Sequence, residues 1–363
     1  MASVPVRLGE RSYHIVIEKT LDRLPGELKK LGLGTEVAVI TNPKVKSLFG
    51  KSVDISLKRT GLKTGFLLVP DSERAKSLKE AMKLLASLSK MDGKGRRLCV
   101  AVLGGGVVGD LGGFVASAYK RGIPYVQIPT TLLAQVDSSI GGKVAVDLPE
   151  GKNLVGAFYQ PRLVYSDISF LKHLSARDFA SGISEVIKYA VIKDKTLFSY
   201  LESNRRKIQK RDADALLEIV GRCARIKADV VSRDETERKS IRTILNYGHT
   251  IGHAIETARG YSGAYSHGEA VGLGMMAAAR IALRLGIFPK ADLLRIERLL
   301  GDFGLPVSLK KTDIEKIMGS LSYDKKFIRG INRFVLPVKI GKVTIKEGIP
   351  ESLIREEISR LYS

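Results

Sequence analysis

Of the five histidines in this 363-residue chain, His249, His253 and His267 fall within one short span. His249 and His253 stand four apart, so on a helix they share one face. His267 leads directly into Gly268-Glu269, and Glu185 offers a carboxylate from the helical pattern Gly182–Lys188. Two imidazoles and a carboxylate, with a further position left open, are the donor set of a catalytic divalent-metal site, zinc first among the candidates. On spacing alone His249 and His253 are the natural first pair. The plainer reading gives one or two of these histidines to helix caps or to the core. Three of five in one span, each beside glycine or a small residue, favour the metal. Basic residues recur around them: Lys188, Lys227, Arg242 and Lys325-Lys326. Lys227 sits on an otherwise apolar helical stripe. It is either a lysine whose stem covers apolar surface or part of a pocket for carboxylate and phosphate.

A second constellation is glycine-rich. Leu98–Leu103 runs into Gly104-Gly-Gly-Val-Val-Gly-Asp-Leu-Gly-Gly113, and Gly104, Gly106 and Gly109 fit GxGxxG between a strand and a helix. Glycines let backbone N–H groups approach a pyrophosphate, and the helix start adds partial positive charge. The acid that usually ends the next strand, about 20 residues on, is missing here. That strand ends in Pro129-Thr130-Thr131. The loop is therefore a dinucleotide site off the standard pattern, or a tight turn with close helix packing. Asp137-Ser-Ser-Ile-Gly-Gly-Lys143 and Gly151-Lys152-Asn153 set lysine beside glycine. Such pairs suit anionic oxygens, or are ordinary polar turns.

The elements that must position these groups fall into two kinds. Val4–Arg7 and Tyr13–Ile17 read as a hairpin. Glu36–Thr41, Gly65–Val69, Leu98–Leu103, Tyr125–Ile128 and Arg162–Ser166 read as strands, with helical patterns such as Ser72–Lys90 between them. That alternation predicts a mostly parallel, Rossmann-like α/β domain. After about Asp167 long helical patterns take over: Ile183–Glu202, Ala213–Ser232, Asn246–Ala258, Gly268–Leu285, Ala291–Phe303 and Asp313–Leu321. A hairpin (Arg333–Val338 with Lys342–Lys346) and a helix opened by Pro350 close the chain. The expected architecture is an α/β domain over 1–167 and a mainly α-helical domain over 168–363, with the active site in the cleft between them.

Composition narrows the function classes. Hydrophobic residues make up 44% and charged residues 27%, an ordinary globular balance with material for two cores. No apolar run is long enough to span a bilayer, and no secretory leader is evident, so a cytoplasmic protein without membrane contact is expected. Cys99 and Cys223 have no CxxC neighbour and read as buried thiols. The net charge of +22 raises nucleic-acid binding. However, the densest cluster (Arg205, Arg206, Lys207, Lys210, Arg211) has no interleaved aromatics and reads as a solvated face. No nucleic-acid partner is expected.

Taken in order, the motifs resemble those of 3-dehydroquinate synthases over nearly the whole chain. They are Gly104–Gly113, Pro129–Lys143, Gly151-Lys-Asn153, Ser184-Glu-Val-Ile-Lys-Tyr189, Leu245-Asn-Tyr-Gly-His-Thr-Ile-Gly-His-Ala254, His267-Gly-Glu-Ala-Val271 and Asp324-Lys-Lys326. The resemblance implies a metal, zinc or cobalt, on Glu185, His249 and His267, which replaces the first pairing and turns His253 toward substrate. It implies NAD contacts at Asp71, Glu73, Lys76, Gly105, Gly106, Val107, Val108, Gly109, Asp110, Thr130, Thr131, Lys143, Lys152, Phe170, Leu171, Lys172 and His173. Glu73 then takes the place of the missing acid. It implies substrate contacts at Asp137, Lys143, Lys152, Asn153, Lys188, Lys227, Arg242, Asn246, His253 and Lys326. Arg121 would reach the neighbouring site of a homodimer. The implied reaction turns a phosphorylated seven-carbon sugar acid into 3-dehydroquinate and phosphate, by transient oxidation with NAD, β-elimination, reduction and intramolecular aldol closure. The rivals are sister cyclases of valiolone or deoxy-inosose type, and a glycerol-dehydrogenase-like oxidoreductase.

Overall fold

The computed structural model describes residues 2–259, 264–310, 314–322 and 332–362. They divide into two compact units, one of Met1–Leu174 with Leu216–Thr236 and one of Ser175–Ala215 with Glu237–Ser363.

The first unit is built on strands β1 (Ala2–Val6), β2 (Tyr13–Glu18), β3 (Glu36–Thr41), β4 (Lys63–Leu68), β5 (Leu98–Gly104), β6 (Tyr125–Pro129) and β9 (Leu163–Asp167). Among the described residues they form a seven-stranded sheet in the order β1-β2-β9-β6-β5-β3-β4. Only the β1–β2 pair is antiparallel. Successive side chains of a strand point to opposite faces, and both faces are covered here. Ala38, Ile40, Val100 and Val102 enter one core with the helices Leu78–Met91 and Gly106–Ala118. Val37, Val39, Cys99, Ala101 and Leu103 enter the other, with Leu24, Leu28, Val53 and Leu57. Double coverage explains why these strands read as unbroken apolar runs and not as alternating ones. Residues 216–236 belong to the same unit. The Arg11 guanidinium makes a two-point pair with Glu235 (3.1 and 2.8 Å), the Arg7 amide donates to Ser232, and Gln160 donates to Glu235 at 3.1 Å.

The second unit is mainly helical: Ala176–Lys193, Lys195–Gln209, His249–Ala258, His267–Arg284, Lys290–Asp302, Ile314–Ser322 and Glu351–Ser359. A hairpin of β10 (Arg333–Lys339) and β11 (Lys342–Glu347) turns at Gly341, whose φ is 90° and whose amide bonds Val191 O at 2.8 Å.

Three local expectations differ from the structure. The helix expected over Ile183–Glu202 breaks at Asp194, whose carboxylate instead caps the next helix by accepting from the Leu197 amide at 2.9 Å. The helix expected from Ser72 starts at Leu78 behind a Ser77 cap, after a short turn over Glu73–Ala75. No strand is expected around Lys143 and Gly151, which read as loops for anionic oxygens or as polar turns, yet they pair as β7 (Lys143–Leu148) and β8 (Gly151–Phe158). Among the described residues no helix is long and apolar enough to cross a membrane.

Candidate functional site

In the helical unit, three helices bring the histidine cluster together. Glu185 and Lys188 lie on Ala176–Lys193, and His249, His253 and Glu256 on His249–Ala258. His267 opens the helix His267–Arg284. The helices meet main chain to main chain. A Cβ on Gly268 would stand 2.1 Å from Ser181 O, and one on Gly274 2.0 Å from Gly248 O. The Gly268 amide donates to the Ser181 hydroxyl at 3.0 Å. Ser266 and Glu269 form a reciprocal cap on the His267 helix, and Arg177 grips the Glu269 carboxylate at 2.7 Å. The first turn carrying His267 is thus fixed from several sides.

The ligand atoms of Glu185, His249 and His267 all lie within 4.8 Å of one another. Glu185 Oε1 is 3.5 Å from Nε2 of each histidine. Nδ1 of His249 is 3.1 Å from the Tyr247 carbonyl, a contact that puts the ring proton on Nδ1 and turns the Nε2 lone pair inward. Glu185 is fully buried, and Lys188, 1% exposed, pairs with its Oε2. Burial, helped by Lys188 and the other imidazoles, holds His249 well below the usual histidine range. Burial also works against charge on His267, but Glu185 and Glu256 outweigh it and push that imidazole up to about 10. One hard carboxylate and two borderline imidazoles fit a zinc- or cobalt-type divalent ion. The initial pairing of His249 with His253 is not the set that gathers. His253 is exposed, and the second group of donors among the described residues is His253, Glu256 and His267.

In the α/β unit the glycine-rich turn joins β5 to the helix Gly106–Ala118, whose cap residue Gly105 offers no side chain. The first amides of that helix are therefore open to an anion. The turn lies at the switch point of the sheet, where the chain passes from β4 on one side of β3 to β5 on the other, the usual ligand position in such sheets. Asp71 follows β4 and accepts from Asn42 at 2.7 Å. Lys76, buried, holds Asp110 at 2.5 Å and also pairs with the Asn153 side chain. Burial pushes the Asp110 carboxyl up while Lys76 pulls it back. Glu73 pairs with Lys152 at 3.1 Å. Gly105, Gly106 and Val107 are half-buried, and Val108 and Gly109 are buried. The Thr130 amide bonds Gly104 O at 3.0 Å, and the Thr131 hydroxyl accepts from Ala134. Phe170 stacks on Phe49, with His173 edge-on to the same ring. Phe170, Leu171, Lys172 and His173 share one short turn. Lys227 donates to the Asp137 carbonyl at 2.8 Å and pairs with its carboxylate.

The remaining expected residues lie on other elements. Lys143 and Asn153 are exposed on the β7–β8 pair, Asn153 with φ of 58°. Arg121 is exposed at φ 65°. In the helical unit Arg242 is buried, 3.3 Å from Glu237, and Asn246 ends the turn Ile241–Asn246. Lys325 and Lys326 lie outside the described residues. Sequence reasoning passed over two polar residues. Asn42 is signalled by Asn-Pro directly after a strand, and Glu256 by its i,i+3 spacing from His253.

The family model for the 3-dehydroquinate synthase N-terminal region matches residues 66–181, and that for the C-terminal region matches 182–327. The 3-dehydroquinate synthase of Thermodesulfovibrio yellowstonii is 49% identical over 347 residues, covering 95% of this chain and 96% of the relative. Among solved structures, a 2-deoxy-scyllo-inosose synthase complexed with carbaglucose-6-phosphate, NAD+ and Co2+ has a TM-score of 0.88 at 26% identity, covering 99% of this chain and 100% of that one. A 2-epi-5-epi-valiolone synthase from Streptomyces hygroscopicus subsp. jinggangensis 5008, with NAD+ and Zn2+ bound, has a TM-score of 0.88 at 26% identity, with 98% of each chain covered. Sequence agreement along nearly the whole length, with the cyclase fold around it, establishes that the chain is a cyclase-type enzyme belonging to the 3-dehydroquinate synthase family.

Proposed function

We propose that the chain converts 3-deoxy-D-arabino-heptulosonate 7-phosphate into 3-dehydroquinate and phosphate, as an NAD- and metal-dependent carbon–oxygen lyase. The observation that carries this reading is the convergence of Glu185, His249 and His267 ligand atoms within 4.8 Å, in a chain 49% identical to a curated 3-dehydroquinate synthase. The related cyclases with NAD+ and Co2+ or Zn2+ support the same pair of cofactors. NAD supplies a reversible hydride acceptor, and the divalent metal supplies a Lewis acid that acidifies a carbinol and polarises the derived ketone.

The chain's own residues do the rest. Residues 1–167 serve as the NAD domain. Gly105 to Asp110 and Thr130-Thr131 receive the pyrophosphate, and Asp71, Glu73 and Lys76 receive the adenosine side, with the Phe170–His173 turn as a further contact. Residues 168–363 hold the metal on Glu185, His249 and His267. Lys152, Asn153, Arg242 and Lys326 bind the phosphate. Asp137, Lys143, Lys188, Lys227 and Asn246 orient hydroxyl and carboxylate oxygens, and His253 handles a proton. In a homodimer Arg121 adds a cation to the neighbouring phosphate site.

The test is an incubation of purified protein with NAD, Zn2+ or Co2+ and the heptulosonate phosphate, reading free phosphate and NADH absorbance together. Phosphate release without NADH accumulation, with 3-dehydroquinate as product and loss on chelation, is expected. Turnover of sedoheptulose 7-phosphate or glucose 6-phosphate in its place would assign a sister cyclase. Net NADH formation from a polyol would assign a dehydrogenase.

A further inference from the structure

We infer that Glu256 is a positioning residue for the metal centre, holding His267 in the tautomer and orientation that ligates; this rests on the reading of Glu185, His249 and His267 as the metal site. Glu256 Oε2 lies 3.5 Å from His267 Nδ1, while Nε2 of the same ring lies 3.5 Å from Glu185 Oε1. The imidazole is bracketed by two carboxylates, one on each nitrogen. A carboxylate beside Nδ1 keeps the ring proton there and leaves the Nε2 lone pair for a cation.

The two histidines are supported differently. His249 is supported at Nδ1 by the neutral Tyr247 carbonyl, and His267 by a charged group. The difference matters because Lys188 already pairs with the Glu185 carboxylate. Without Glu256 a divalent ion would meet a donor set with little net negative charge, in a buried place where charge is poorly solvated. Glu256 supplies that charge from the next shell. It sits two helical turns after His249 on the same helix, so one rigid element carries a ligand and the support of another. Its side chain is only 12% exposed, which strengthens the interaction.

A competing role is visible. His253, Glu256 and His267 also form a close group, so Glu256 could instead serve proton handling at His253. The experiment separates the two. Zn2+ and Co2+ affinities are measured by chelator competition for the unaltered protein, Glu256→Gln, Glu256→Leu and Glu185→Ala, with the Co2+ visible spectrum as a second readout. Glu256→Gln keeps an acceptor without the charge and is expected to bind metal about tenfold more weakly. Glu256→Leu loses both and is expected to fall about 100-fold, with a shifted Co2+ band. NAD binding and the circular dichroism of Glu256→Gln stay unchanged, which excludes misfolding as the cause. Affinity within twofold and an unaltered Co2+ spectrum in Glu256→Gln would overturn the inference and leave Glu256 to His253. Unaltered metal binding by Glu185→Ala would instead overturn the site reading beneath it.

Discussion

Two pairs of helix glycines, one pair in each unit, face different things. In the α/β unit the helix Gly106–Ala118 approaches side chains: a Cβ on Gly113 would meet Val144 Cγ1 at 2.3 Å, and one on Gly112 would meet Val102 Cγ2 at 2.6 Å. In the helical unit the neighbour of Gly268 and Gly274 is the main chain of another helix. A valine can rotate or yield with its strand, whereas a carbonyl moves only with its whole helix. The helix Gly106–Ala118 is thus packed closely, while the helix His267–Arg284 is held in register. Registration is what three donors from three helices require, since a ligand displaced by even an ångström loses its metal.

This contrast is broken most forcefully at Glu185. Glu185→Ala removes a donor and leaves Lys188 buried without its carboxylate. Metal should be lost on dialysis, and urea unfolding of the helical unit should register about 3–5 kcal/mol. Next comes Gly268→Ala, expected to destabilise by about 3 kcal/mol and to weaken metal binding about tenfold as His267 shifts. Gly113→Ala is its counterpart in the α/β unit. It should cost about 1–2 kcal/mol and leave metal affinity untouched, and a metal effect as large as that of Gly268→Ala would remove the distinction. The smallest effects sharpen it. Ser266→Ala and Ser77→Ala each delete a helix N-cap and should each cost about 1 kcal/mol. Only Ser266→Ala, one residue before His267, should alter a chelator competition, by a few-fold.

Much of this was legible in the residues. Apolar runs such as Leu98–Leu103 declare a strand buried on both faces, and the switch to helical periodicity after Asp167 declares the second kind of architecture. The histidines drew attention because each sits beside a small residue. What spacing could not supply was the partner for His249. The i,i+4 rule points along one helix to His253, yet the ring brought into the donor group belongs to the next helix. It arrives there through contacts at Gly274 and Gly268 that no period reveals. Asp194 was missed for a related reason. An acid within an unbroken apolar rhythm reads as one more exposed position, and only its cap on Leu197 marks the break. The β7–β8 pair was hidden because β8 is exposed or half-buried along its whole length, and a strand with no buried face carries little alternation.

The return of residues 216–236 to the α/β unit also sets an order of assembly. Strand β2 pairs with β9, so the sheet waits for Leu163 before its N-terminal hairpin has a neighbour. Even then Arg11 and Gln160 lack Glu235 until the chain has run through the first helices of the other unit. Pairings this distant in sequence close slowly. During synthesis, the helices Ala176–Lys193 and Lys195–Gln209 are therefore made inside the interval in which the sheet still lacks its Glu235 contacts. A chain cut after Leu174 would carry every strand of the large sheet and still lack the strap that fastens its first turn.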